Sequence, residues 1–223
     1  MTRLLDIGID HIRNIMLNMA NISENSVFTA MESYEKGINV KSRIFEWSER
    51  LRILQEEVSD LAVELIARYQ PVASDLRMIR SCMEISYGFS RFGRYSYDIA
   101  DLLEIMGFTY NECDKTAVLE MAKKVREMIL LSVAALQTRD KNAVSKLYEM
   151  DDTVDTLYMK YLQRLVIPKN EREQDIGNSE ETNPKCYGSA ILILKYLERI
   201  SDHACYVGDS VNYIVTGTSR PRR

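Results

Sequence analysis

Histidine, proline and tryptophan are nearly absent from this chain, which has two His, four Pro and a single Trp in 223 residues. With only His11 and His203 to draw on, and neither beside a tight Gly-rich turn bearing Ser or Cys, nucleophilic catalysis of the triad type has little support. The inward Glu-x-x-His pairs of di-iron bundles are missing, as is a glycine loop of phosphate-cradling form. Cys82, Cys113, Cys186 and Cys205 form no C-x-x-C pair and have no His at zinc-finger spacing, so they read as reduced, mostly packed thiols. No window approaches the ~18 apolar residues of a membrane span, and the acidic N-terminus has no apolar run of signal-peptide length. A cytoplasmic protein is expected.

A formal net charge of −4 argues against an extended face for nucleic acid, which needs clustered Lys and Arg. Only the tail SRPRR at 219–223 is locally basic, and it reads as a solubilising end or as a contact for a membrane surface or acidic partner. Alternation of apolar and polar residues is also lacking, so strands are not signalled. What remains is an all-α chain.

The stretch ILILKYLERISDHACYVGDSVNYIV at 191–215 organises the reading. Apolar or small residues fall at Ala190, Ile193, Leu197, Ile200, Ala204, Val207, Val211 and Ile214, alternating in steps of three and four. This is a helix with one buried seam. At about 100° of rotation per residue, Glu198 and Asp202 fall together on the side away from Leu197.

Five further helices are read upstream. The first spans about 4–34, with Leu5, Ile12, Ile15, Met16, Met19, Ile22 and Phe28 on one face, and Gly37 ends it. The second begins near Val40, carries Ile44, Trp47, Leu51, Leu54, Val58, Leu61 and Leu65, and stops before Pro71. Pro71 is placed in the first turn of the third helix, which runs to about Met106, and Gly88 and Gly93 inside it signal close helix approach. The fourth (about 110–137) and fifth (about 140–166) are joined by a few polar residues, and 169–183 has loop composition and reads as mobile. Pro184 opens the sixth.

Shifted back by 108 positions, the seam of the sixth helix lands on Cys82, Ile85, Phe89, Phe92, Ser96, Ile99, Leu103 and Met106, all apolar or small. Shifting the fifth back by 103 places Leu147, Met150, Val154, Leu157 and Tyr161 on Ile44, Trp47, Leu51, Leu54 and Val58. The order of helix, helix and third helix after a proline therefore occurs twice. The expected architecture is two tandem antiparallel three-helix bundles, 1–107 and 108–223, which the short connections favour over one continuous coiled coil.

Acids of the form acidic, three residues, Asp occur at Asp151 and Asp155 and at Glu198 and Asp202. On neighbouring helices they could converge on an outward patch that holds a cation with oxygen ligands, or they could be simply hydrated. His203 lies about 100° round from Asp202 and is not placed as a co-ligand.

The segments ARYQPVASDLRMI at 67–79 and KYLERISDHA at 195–204, with Met19-Ala20 and DDTVDTLY at 151–158, resemble the PhoU family of regulators associated with phosphate transport. The resemblance implies the same pair of bundles. It also implies a non-enzymatic role: restraining uptake through a Pst-type ABC transporter by contact with its ATPase subunit and, where one exists, signalling to a sensor kinase. Such a protein is peripheral to the membrane through its partners and is expected to be a homodimer. Some members of the family hold surface iron or zinc clusters on paired Glu/Asp-x-x-x-Asp motifs, which implies Fe, Zn or Mg ions on Asp151, Asp155, Glu198 and Asp202. By the two repeat offsets, the first bundle carries Ser48, Arg52, Ser90 and Arg94 instead. Arg52 has Glu56, and Arg94 has Asp98, four residues on; the group reads as exposed helix pairs or as a candidate anion or partner contact. Two rival readings are a carboxylate metalloprotein for storage or redox and a regulator of another type of phosphate transporter.

Overall fold

The computed structural model describes residues 3–107, 113–166 and 184–219. They form α1 (Leu4–Lys36), α2 (Lys41–Tyr69), α3 (Ala73–Met106), α4 (Thr116–Thr138), α5 (Ala143–Val166) and α6 (Pro184–Thr216), with no strand among them. The segment 169–183, read as a mobile loop, and the end of the basic tail lie outside the described residues.

Helices α1, α2 and α3 pack on one another, as do α4, α5 and α6, and the two sets join through α3 against α6 and α1 against α4. Inter-helix contacts fix the directions. Gly8 faces Leu65 and Lys41 pairs with Asp101 at 2.7 Å, so α2 runs antiparallel to both α1 and α3. In the second set Tyr148 donates to Asp209 at 2.6 Å and Gly208 faces Leu147, so α5 and α6 are antiparallel. Arg80 lies over Tyr213 and Tyr95 stacks on Tyr196, so α3 and α6 also run in opposite directions.

The seams account for the packing. On α6, Ile193, Leu197, Ile200, Ala204, Val207, Val211 and Ile214 are all buried, and so is every α3 position that the repeat superposes on them. Fully burying a Leu, Ile or Phe side chain contributes about 1.5–3 kcal/mol, so each seam outweighs the modest helix propensity of its residues. Ser96, the one hydroxyl on the α3 seam, donates to the carbonyl of Phe92 at 2.8 Å and so carries no unmet donor into the core.

Two expectations need correction. Helix α3 starts at Ala73, with Val72 extended ahead of it, so Pro71 precedes the helix and does not sit in its first turn. Its ring still ends α2, whose last residue is Tyr69 and whose C-cap Gln70 takes a left-handed φ of 46°. The cysteines are not all reduced: Cys113 and Cys186 form a disulfide across a sequence separation of 73, tying the approach to α4 to the first turn of α6. Only the fold brings them together, since nothing in their spacing marks a pair. Cys82 and Cys205 are free and buried.

Candidate functional site

The second-bundle acids lie along the α5–α6 contact. Asp155 is exposed and Asp202 partly exposed, but Asp151 is buried, with Oδ1 making no hydrogen bond. The expected outward direction therefore fails for Asp151, because α6 lies against this part of α5 and brings Ser201 and Cys205 beside the carboxyl. Burial pushes its pKa up to about 6, against a lowering hydrogen bond from Ser201, and the charges of Asp155, Asp202 and Asp152 add to the rise. Burial likewise raises Asp202, helped by Glu198 and opposed by Arg199. Burial, and then the charge of Asp151, drives the Cys205 thiol far above its ordinary range.

Glu198 and Asp202 are occupied by cations on their own helix. Lys195 reaches Glu198 at 2.8 Å, and Arg199 reaches Glu198 at 3.6 Å and Asp202 at 3.1 Å. Among the described residues no group of three or more His, Cys, Asp or Glu is drawn together as a metal centre requires. With Glu198 and Asp202 paired to cations and Asp151 buried beside Ser201 and Cys205, the residues present do not fit a preformed iron or zinc cluster.

In the first bundle the corresponding positions do come together across the α2–α3 contact. A Cβ on Gly93 would stand 3.4 Å from the Cα of Ser48, which places Ser48 against the turn of α3 that carries Ser90 and Arg94. Both pairs expected from the i, i+4 spacing are present: Arg52 with Glu56 at 2.7 Å and Arg94 with Asp98 at 3.1 Å. Arg52 also pairs with Glu49 at 3.2 Å, and Arg94 lies over the Tyr97 ring. Burial raises the Asp98 pKa in spite of Arg94. The Arg52 pairs are exposed and contribute at most about 0.3–0.5 kcal/mol each, whereas in the Arg94 pair the arginine is exposed and Asp98 partly buried.

Between the two motif sites runs a feature that the sequence reading missed. His203 is buried at the α3–α6 seam with the rings of Tyr87, Tyr95 and Tyr206 about it at 5.8, 6.0 and 5.3 Å. Tyr95 also stacks on Tyr196 and accepts from Arg91 at 2.8 Å, with that guanidinium over its ring. Tyr87, Arg91 and Tyr95 are spaced i, i+4, i+8 on α3, so the sequence carries this stripe beside the aliphatic seam.

Comparisons with known proteins agree with this architecture. The chain is 27% identical over 220 residues to a protein of Clostridium acetobutylicum named phosphate-specific transport system accessory protein PhoU homolog, covering 97% of each. It is 27% identical over 209 residues to PhoU homolog 1 of Thermotoga maritima, covering 91% of this chain and 83% of that protein. The crystal structure of PhoU from Pseudomonas aeruginosa superposes with a TM-score of 0.82 at 24% identity, covering 96% and 99% of the two chains, a likeness of fold. The PhoU domain family matches residues 16–103 and 118–211, one match on each bundle, and the chain therefore belongs to the PhoU family.

Proposed function

We propose that this chain is an accessory regulator of phosphate uptake that acts by binding, docking on the ATPase subunit of a phosphate ABC transporter and, where present, on a sensor kinase. The observation that carries this reading is the match, along nearly the whole length of both chains, to relatives named as accessory proteins of phosphate-specific transport. No helix among the described residues is long and apolar enough to cross a membrane, and in this reading the protein reaches the membrane through its partner.

The docking face in this reading is the α3–α6 seam with its flanks. Tyr and Arg dominate binding energy at protein interfaces, because they combine apolar area with directed polar contacts. Tyr87 is 51% exposed there, beside Arg91, with Arg52 and Arg94 on one flank and Glu198 and Asp202 on the other. Binding of a cation by the second-bundle acids is a weak, competitive event in this reading, since any ion must displace Lys195 and Arg199. Phosphate uptake in a strain lacking this protein tests the proposal. Uptake should lose its restraint at high phosphate and regain it with the native chain, whereas unchanged uptake would oppose the reading.

A further inference from the structure

Away from the α3–α6 seam, a cavity of about 310 Å³ opens where α1, α3 and the end of α4 meet. That volume is at the small end of ligand sites, which run from about 300 to 1,000 Å³. Met16, Met78 and Cys82, all buried, form its inner surface, and Leu17, at 38% exposure, lies at its outer side.

Two guanidinium groups border this apolar space. Arg13 on α1 and Arg139 at the end of α4 both line the cavity, one from each bundle, beside Cys82, whose thiol burial holds up at about 12 against the opposing charges of the two arginines. Arg13 shares its charge with Asp10 at 2.7 Å on the solvent side. Arg139, the left-handed cap of α4, makes no ion pair among the described residues. A cation suits the carbonyl end of a helix, so its charge alone implies no ligand. An apolar cavity bounded by two guanidinium groups is a different matter: water satisfies the rim but not the interior, whereas a molecule with an oxyanion head and a short hydrocarbon tail satisfies both.

We propose that the cavity formed by Arg13, Met16, Met78, Cys82 and Arg139 binds a small amphiphilic oxyanion, with its head on the two arginines and its tail against the methionines. Because the arginines belong to α1 and to the end of α4, occupancy would clasp the first bundle to the second. This site is independent of the docking face above.

The test follows the methionine methyl signals of the full chain by NMR during titration with octanoate, octyl phosphate, inorganic phosphate and 1-octanol. Met16 and Met78 should shift saturably with octanoate or octyl phosphate, and which of these binds more tightly identifies the preferred head group. Octanol and inorganic phosphate should each bind at least roughly tenfold more weakly, and Arg13→Ala with Arg139→Ala should lose a similar factor. Leu17→Trp, at a part-exposed position, should block the shifts while leaving the melting transition in place. No saturable shift by about 10 mM of either amphiphile would overturn the proposal, as would octanol or bare phosphate binding as tightly as the amphiphiles, or an undiminished response in the arginine variant. Arg139 is exposed and Arg13 partly so, and folding of that variant is expected; Arg139→Gln alone decides the question should it fail.

Discussion

Gly93 and Leu51 touch across the α2–α3 contact so closely that a Cβ on the glycine would lie 2.5 Å from the Cδ1 of the leucine, which is fully buried. The same approach sets Ser48 beside Gly93 and so assembles the first-bundle motif positions into one surface. Gly188 on α6 has nothing within 4 Å of where its Cβ would be.

These two glycines should respond oppositely to alanine. Alanine is favoured over glycine inside a helix by about 1 kcal/mol, but overpacking a core costs about 1–3 kcal/mol. Gly93→Ala should therefore be net destabilising by about 1 kcal/mol, while Gly188→Ala should be stabilising by up to about 1 kcal/mol. Calorimetric melting of the two variants checks this, and a higher melting temperature for Gly93→Ala would contradict the packing.

The Cys113–Cys186 bond closes a separation of 73 residues, and the chain-entropy relation gives roughly 4 kcal/mol for a loop of that length. Reductant, or Cys113→Ser, should lower the denaturant midpoint accordingly. An identical midpoint with and without reductant would mean that the two thiols are not joined in solution.

Asp151 gives stability a pH dependence of definite sign. Its folded pKa of about 6 stands above the ordinary aspartate value of 3.8, so the unfolded chain loses this proton first as pH rises. The contribution of Asp151 therefore worsens between about pH 4 and 6 and stays unfavourable above, at an order of 3 kcal/mol. Asp151→Asn should be more stable than the native chain at pH 7.5, and this advantage should fade toward pH 4. Equal stability of the two proteins across that range would show that the carboxyl is better solvated than its burial implies.

Lys195 and Arg199 hold Glu198 and Asp202. Replacing both cations with alanine should therefore tighten binding of Mn²⁺ or Zn²⁺ to the second bundle, whereas Arg52→Ala with Arg94→Ala should leave cation binding as it was. Calorimetric titration distinguishes them, and no gain in the first variant would remove the second bundle as a cation surface.

The helices and their seams were legible because burial along a long amphipathic helix repeats every three or four residues, and Cys82 to Met106 and Ile193 to Ile214 follow that period throughout. The Arg52–Glu56 and Arg94–Asp98 pairs were legible for the same reason, being local to one helix. What depends on contact between helices was not: Cys113 and Cys186 meet only after α4 and α6 have packed. The Lys195–Glu198 and Arg199–Asp202 pairs, by contrast, are i, i+3 pairs local to α6, and the spacing alone signals them. The outward direction given to Asp151 follows the acids of α6, whereas on α5 it stands four residues after Leu147 and three before Val154, both buried, so the period of its own helix places it on the seam.

The central claim, that the chain serves as an accessory protein to a phosphate transporter by binding it, is tested most directly by mixing the purified protein with the transporter's ATPase subunit and measuring complex formation by analytical ultracentrifugation. A stoichiometric complex, weakened when Tyr87 and Arg91 on the exposed side of the α3–α6 seam are replaced by alanine, is the predicted result. Sedimentation of the two proteins as separate species at micromolar concentration, with and without phosphate, would contradict the account.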